Sequence, residues 1–228
     1  MGNIRDNVLR VREAMEKAAE RVGRRPEEIR LVAASKTVDV ERIRSAVEAG
    51  ITVFGENYVQ EAKRKREAIE EPVSWHFIGH LQKNKAKYAV QLFDMIHSVD
   101  SIALAEELDK RAGRVSRRMD VLIEVNLAGE ATKSGVGEKD ALPLIHEING
   151  LAHLRFRGLM TMPPFFEDPE ESRPYFVRLR GLAERVVSDG LHPGPLELSM
   201  GMSNDFLVAI EENATLVRVG TAIFGPRP

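Results

Sequence analysis

Along the first twenty residues, apolar positions return at helical spacing: Ile4, Val8, Val11, Met15, Ala18, Ala19 and Val22, with Gly23 and Pro26 as stop signals. An amphipathic opening helix is predicted. The pattern then changes to a short continuous apolar run at 31–35. Asp39 follows, leading Val40, Ile43, Ala46 and Val47 at helical spacing to a stop at Gly50. This reads as strand, loop, helix. Further apolar runs of strand length stand at 51–54, 75–78, 95–99, 121–125, 156–160, 196–200 and 216–219, which makes eight with the first. Helical patterns separate them at 58–69, 83–92, 102–112, 139–148, 172–187 and 205–212.

Continuous apolar strands alternating with helices imply a parallel sheet covered on both faces, and eight of them predict closure into a (β/α)₈ TIM barrel with an extra N-terminal helix. A doubly wound open sheet is the alternative. Met162-Pro163-Pro164 and His192-Pro193-Gly194-Pro195 read as loop punctuation, and no linker composition divides the chain, so one domain is expected over residues 1–228.

Composition narrows the chemistry. Lys and Arg number 33 against 35 Asp and Glu, a net charge of −2, which argues against a general nucleic-acid binder. With 43% hydrophobic and 30% charged residues the chain can build a core, so disorder is excluded. The absence of cysteine removes disulfides, thiolate nucleophiles and iron–sulfur ligation. No apolar run approaches the roughly 20 residues of a membrane span, and the N-terminus lacks a signal-peptide pattern, so the expected location is cytoplasmic. His76 and His80 would share a strand face, but no acidic ligand is suitably placed, and no metal site is expected. The basic run Lys63-Arg64-Lys65-Arg66 reads as a solvated helix face, with weak RNA or anion binding as the alternative.

In a barrel the chemistry gathers on the loops after the strands. Lys36 directly follows the first strand, where partial desolvation would lower its pKa and free a nucleophilic amine, although a surface lysine snorkelling at a loop start has the same sequence. Ser199-Met200-Gly201-Met202-Ser203-Asn204-Asp205 joins the seventh strand to a helix, with Arg218, Gly220 and Thr221 beside it after the eighth. Small residues there allow backbone to approach a phosphate. The segment also reads as a plain capped helix, with Ser203 or Asn204 as N-cap.

Taken together, Ser35-Lys36-Thr37, Phe54-Gly55-Glu56-Asn57-Tyr58, Trp75-His76-Phe77-Ile78-Gly79-His80-Leu81-Gln82, Gly158-Leu159-Met160-Thr161-Met162, Leu198-Ser199-Met200-Gly201-Met202-Ser203 and Arg218-Val219-Gly220-Thr221-Ala222-Ile223-Phe224-Gly225 closely resemble one family. It is that of the pyridoxal phosphate homeostasis proteins, small relatives of the alanine racemase barrel. The match runs from about Leu31 to Gly225, and Asn213 departs from it where many members have Gly. The resemblance implies that Lys36 holds pyridoxal 5′-phosphate (PLP) as a Schiff base. It implies phosphate contacts from Ser199, Gly201, Gly220 and Thr221, and a ring pocket lined by Asn57, His80 and Met200. Arg218 would face the pyridine nitrogen, with the phosphate as its alternative partner.

Two functions follow from the resemblance: a non-catalytic carrier in PLP homeostasis and delivery, or a PLP-dependent amino-acid racemase. A racemase needs acid and base on opposite faces of the substrate carbon. None of Tyr58, Tyr88 and Tyr175 is visibly placed for that, and the chain ends three residues after Gly225, so the carrier is expected. Its partners would be PLP and apo forms of PLP-dependent enzymes, with no nucleic acid or membrane, and its state a monomer or weak dimer.

Overall fold

The computed structural model describes residues 3–130 and 134–226. Helix α1 (Ile4–Arg21) starts at Asn3, whose side-chain oxygen accepts the Arg5 N–H at 3.1 Å, and it buries Val8, Val11, Met15, Ala18 and Ala19. Then β1 (Arg30–Ala34), α2 (Val40–Glu48), β2 (Val53–Glu56), α3 (Val59–Ala68), β3 (Ser74–Phe77), α4 (Ala86–Leu92), β4 (Met95–Val99) and α5 (Ile102–Arg114) succeed one another. The second half runs β5 (Met119–Asn126), β6 (Val136–Gly137), α6 (Glu138–Asn149), β7 (Leu154–Met160), α7 (Arg173–Ser188), β8 (Glu197–Ser199), α8 (Phe206–Glu211), β9 (Leu216–Val219) and α9 (Thr221–Phe224). Asp39 caps α2 as its sequence position predicts, accepting the Arg42 N–H at 2.9 Å.

Eight parallel strands close on themselves in the order β1, β2, β3, β4, β5, β7, β8, β9 and back to β1. The predicted barrel and opening helix are both present. Short β6 pairs with the outer end of β5 and was not anticipated, nor was α9. The second strand lies two residues later than its apolar run, because it ends on Gly55 and Glu56, and a buried carboxylate breaks the apolar pattern. The predicted helix at 83–92 divides into a 3₁₀ turn (Lys83–Lys85) and α4.

Register decides which side chains face inward, since residues paired across parallel strands share a face. Val32 pairs with Arg218, Gly55 with His76, His76 with Met95, and Met160 with Ser199. An inner apolar layer of Val32, Val53, Met95, Leu122, Met160 and Leu216 therefore plugs the barrel. Ala33, Phe54, Phe77, Ile123, Leu159 and Val217 point outward into the larger core under the helices, where each fully buried large side chain contributes about 2 kcal/mol. Polar residues stand above the plug, towards the strand C-termini. No helix among the described residues is long and apolar enough to cross a membrane.

Candidate functional site at the barrel mouth

Lys36 continues the inward parity of Val32 and Ala34 one step beyond the end of β1, which brings it half-buried into the mouth of the barrel. There it lines a cavity of about 270 Å³ with Asn57, Met202, Ser203, Arg218, Gly220 and Thr221. Phe165 and Phe166, on the long loop after β7, form the rim, and Asn204 Nδ2 ties that loop down by donating to Phe166 O at 2.9 Å. The volume suits a small single-ring ligand, just below the roughly 300 Å³ at which small-molecule sites begin.

One end of the cavity lies against the loops after β8 and β9. The backbone N–H groups of Gly220 and Ala222 converge on Ser203 Oγ, at 3.2 and 3.3 Å, so two donors already point at a single oxygen. Gly201 makes the approach of the two loops possible. It turns at φ +87°, its carbonyl accepts the Arg218 N–H at 3.0 Å, and a Cβ there would strike Ala209. Asp205, not Ser203 or Asn204, is the N-cap of α8, and its carboxylate accepts the Met202 N–H at 2.6 Å.

The floor carries a buried cation. Arg218 is buried, donating through one terminal nitrogen to Ser199 Oγ at 2.6 Å and through the other to Thr161 O at 2.9 Å. Ser199 Oγ in turn lies 2.9 Å from His97 Nδ1, and His97 Nε2 lies 2.9 Å from His76 Nδ1. A guanidinium only donates, so Ser199 Oγ accepts from Arg218, and a polar chain through Ser199, His97 and His76 runs down from the cavity floor inside the barrel. Burial lowers His76 to about 4 and holds His97 well below its ordinary value, which leaves both imidazoles neutral. Burial also lowers Arg218 to about 10, against the opposing pull of Glu124 and Asp205. Glu124, likewise buried and facing Asp100, rises to about 7.

Of the residues singled out from sequence, Lys36, Asn57, Arg218, Gly220 and Thr221 meet around one cavity. Ser199 lies beneath it, with its hydroxyl engaged by Arg218 and His97. Met200 faces outward, fully buried in the core under the helices, and Gly201 is buried against Ala209 and Phe206. His80 is apart: its side chain is 58% exposed, 3.1 Å from Ser134 Oγ, and it lines a neighbouring depression with Tyr58 and Gln82. His76 and His80 therefore do not converge, because the chain leaves the strand at Phe77 and alternation ends there. Ser203 is expected from sequence only as an N-cap within the small-residue run, and Phe165 has no expected role. The small-residue run after β8 was the only signal for Ser203, since the N–H groups it meets belong to the next loop.

Comparison with known proteins gives a consistent neighbourhood. The family model for the N-terminal domain of alanine racemase matches residues 2–228. A curated protein of Aquifex aeolicus named pyridoxal phosphate homeostasis protein is 46% identical over 226 residues, covering 99% of each chain. The structure of PipY from Synechococcus elongatus with PLP bound superposes with a TM-score of 0.82 at 38% identity, over 93% of this chain and 100% of that one. An alanine racemase of Clostridium difficile shares the fold at 16% identity and TM-score 0.76, with 99% of this chain matched to 57% of the enzyme.

Proposed function

Because the chain belongs to the pyridoxal phosphate homeostasis proteins, within the alanine racemase N-terminal domain family, we propose that it binds PLP at the barrel mouth and holds it for delivery rather than for turnover. The observation that carries this reading is a half-buried lysine sharing one small cavity with converging backbone donors and a buried guanidinium. These are complementary to the aldehyde, phosphate and ring nitrogen of PLP. The cofactor supplies an electrophilic carbonyl and, in enzymes, an electron sink.

Lys36 provides the amine that anchors it covalently. Gly220, Thr221 and Ser203 bind the phosphate, and Asn57 lines the ring side. Arg218, held by Ser199 and Thr161, serves the ring nitrogen. As a permanent cation, a guanidinium does not hand over a proton, so it leaves that nitrogen unprotonated and weakens the electron sink. Among the described residues, Lys36, Asp205 and Arg218 are the only ionisable groups lining the cavity. Asp205 is bound to backbone and Arg218 to Ser199, which leaves no second base among the described residues lining the cavity opposite Lys36. The recipients would be apo forms of PLP-dependent enzymes.

Borohydride reduction of the protein mixed with PLP, followed by intact and peptide mass analysis, tests the site. A single adduct on Lys36 that disappears in Lys36→Ala is expected, and an adduct on another lysine would refute the assignment. Exchange of the amino-acid α-hydrogen in deuterated water tests the role: a rate near that of free PLP is expected, whereas enzyme-like exchange of roughly 10 s⁻¹ would make the protein a racemase.

A further inference from the structure

Lys36 occupies the second position of a four-residue turn closed by Val38 N–H donating to Ser35 O at 3.0 Å. The next residue, Thr37, has φ +64°, a left-handed conformation that a β-branched residue rarely adopts unless its surroundings hold it. Those surroundings come from α3. Lys65, expected from sequence on a solvated face, is in fact 4% exposed. Its ammonium has three protons and three acceptors: Ser35 O at 2.5 Å, Glu56 Oε1 at 2.7 Å and Glu61 Oε1 at 2.6 Å. Glu61 Oε1 also accepts the Thr37 N–H at 2.6 Å, and Ser35 Oγ donates to Glu56 Oε1 at 2.5 Å.

Both neighbours of Lys36 are thus fastened on the outer side of the barrel, through one buried ammonium, while Lys36 itself faces the cavity inside. Stability alone is a weak reason for such a cluster, because a buried ion network is often no better than apolar residues of the same volume. Location supplies a stronger one. Apart from the Lys65–Glu61 bond within α3, every hydrogen bond that this pair makes ends on Ser35, on Thr37 or on the Glu56 carboxylate that Ser35 also holds.

We propose that Lys65 and Glu61 are positioning residues that fix the turn so that the Lys36 amine meets the aldehyde carbon of a ligand in the cavity. The inference rests on the PLP reading above. In the condensation concerned, the nitrogen lone pair adds to the aldehyde carbon, a C=N bond forms, and the carbonyl oxygen leaves as water with both amine protons. Productive attack needs the two atoms held at about 3–3.5 Å, and a displacement of about 1 Å slows such a step on the order of a hundredfold. A loosened turn should therefore slow capture without emptying the cavity of its ring and phosphate contacts.

The experiment compares two quantities in protein stripped of cofactor with hydroxylamine. One is the rate of covalent capture after mixing with PLP, followed by visible absorbance and by timed borohydride quench. The other is the affinity for 4′-deoxypyridoxine 5′-phosphate, which has ring and phosphate but no aldehyde. Glu61→Ala should slow capture by at least about tenfold and leave the analogue affinity within about twofold. Glu61→Gln, which keeps the accepting oxygen, should restore the rate. Lys65→Met should slow capture too, with lower stability because Glu56 loses its cation, so the decision rests on the Glu61 pair. An unchanged capture rate in Glu61→Ala, or a parallel fall of rate and analogue affinity, would overturn the proposal. Failure of the wild-type protein to form any Lys36 adduct would instead overturn the PLP reading itself.

Discussion

At Gly201 a Cβ would lie 2.6 Å from Ala209 Cβ and 2.9 Å from Phe206 Cα, at a φ that side chains resist. Gly201→Val is therefore expected to cost at least about 2 kcal/mol in denaturant melts, from strain and overpacking together, and a loss below about 0.5 kcal/mol would contradict the geometry. Ser203→Ala makes a different prediction, because that hydroxyl is assigned to the phosphate and is held in place by the Gly220 and Ala222 N–H groups. Affinity for PLP should fall by roughly tenfold, while unphosphorylated pyridoxal is unaffected, as read by absorbance titration. Equal losses for both ligands would remove Ser203 from the phosphate site. The sequence made Lys36, Arg218, Gly220 and Thr221 legible, since charged or small residues at strand ends stand out from the apolar runs before them. Ser203 and Lys65 were not, for one physical reason: the partners that define them are contributed by other loops and strands. Asn213 shows the converse, a departure from the family's Gly that the fold absorbs, since Asn tolerates its left-handed φ of +71°.

Elements were legible to the extent that their burial is one-sided. Helices α1, α5, α6 and α7 expose one face and bury the other, so their periodic pattern marks both their ends closely. Strands buried on both faces carry no such period, and polar residues inside the barrel interrupt the apolar run that replaces it. Hence β2 was read too early, and His76 and His97 gave no hint that they face each other. Strand pairing was equally invisible, although it fixes one close approach. A Cβ on Gly158 of β7 would lie 2.0 Å from Glu197 O and 2.7 Å from Glu197 N on β8, so these two strands pass too near for any side chain. Gly158→Ala should force β8 away and cost about 3 kcal/mol or more. Because β8 leads into the Ser203 loop, PLP binding should weaken in proportion to the unfolding seen by circular dichroism. A variant as stable as the parent would mean that β7 and β8 do not approach as described.

Across the whole molecule, the polar layer above the barrel plug makes stability depend on pH in two opposing ways. Burial lowers His76 to about 4 and holds His97 well below its ordinary value, so between about 4 and 6.5 the unfolded chain binds more protons at these sites than the folded one. Their contribution is fully present above pH 6.5 and is lost as pH falls through that window. Glu124 acts with the reverse sign. Burial raises it to about 7 from its ordinary 4.5, so the folded state binds the extra proton, and stability falls as pH rises from about 4.5 to 7. The opposing slopes partly cancel over their common range, from about pH 4.5 to 6.5. Glu124→Gln separates the two contributions, because a neutral amide removes the carboxylate's penalty and leaves the histidine slope. The variant should match the parent near pH 4.5 and exceed it by on the order of 3 kcal/mol at pH 8, where Glu124 is ionised in both states of the parent. Denaturant melts at pH 4.5, 6 and 8 decide the matter. A variant less stable than the parent at pH 8 would show that ionised Glu124 is held favourably by Arg218, and that the guanidinium offsets the burial of the carboxylate.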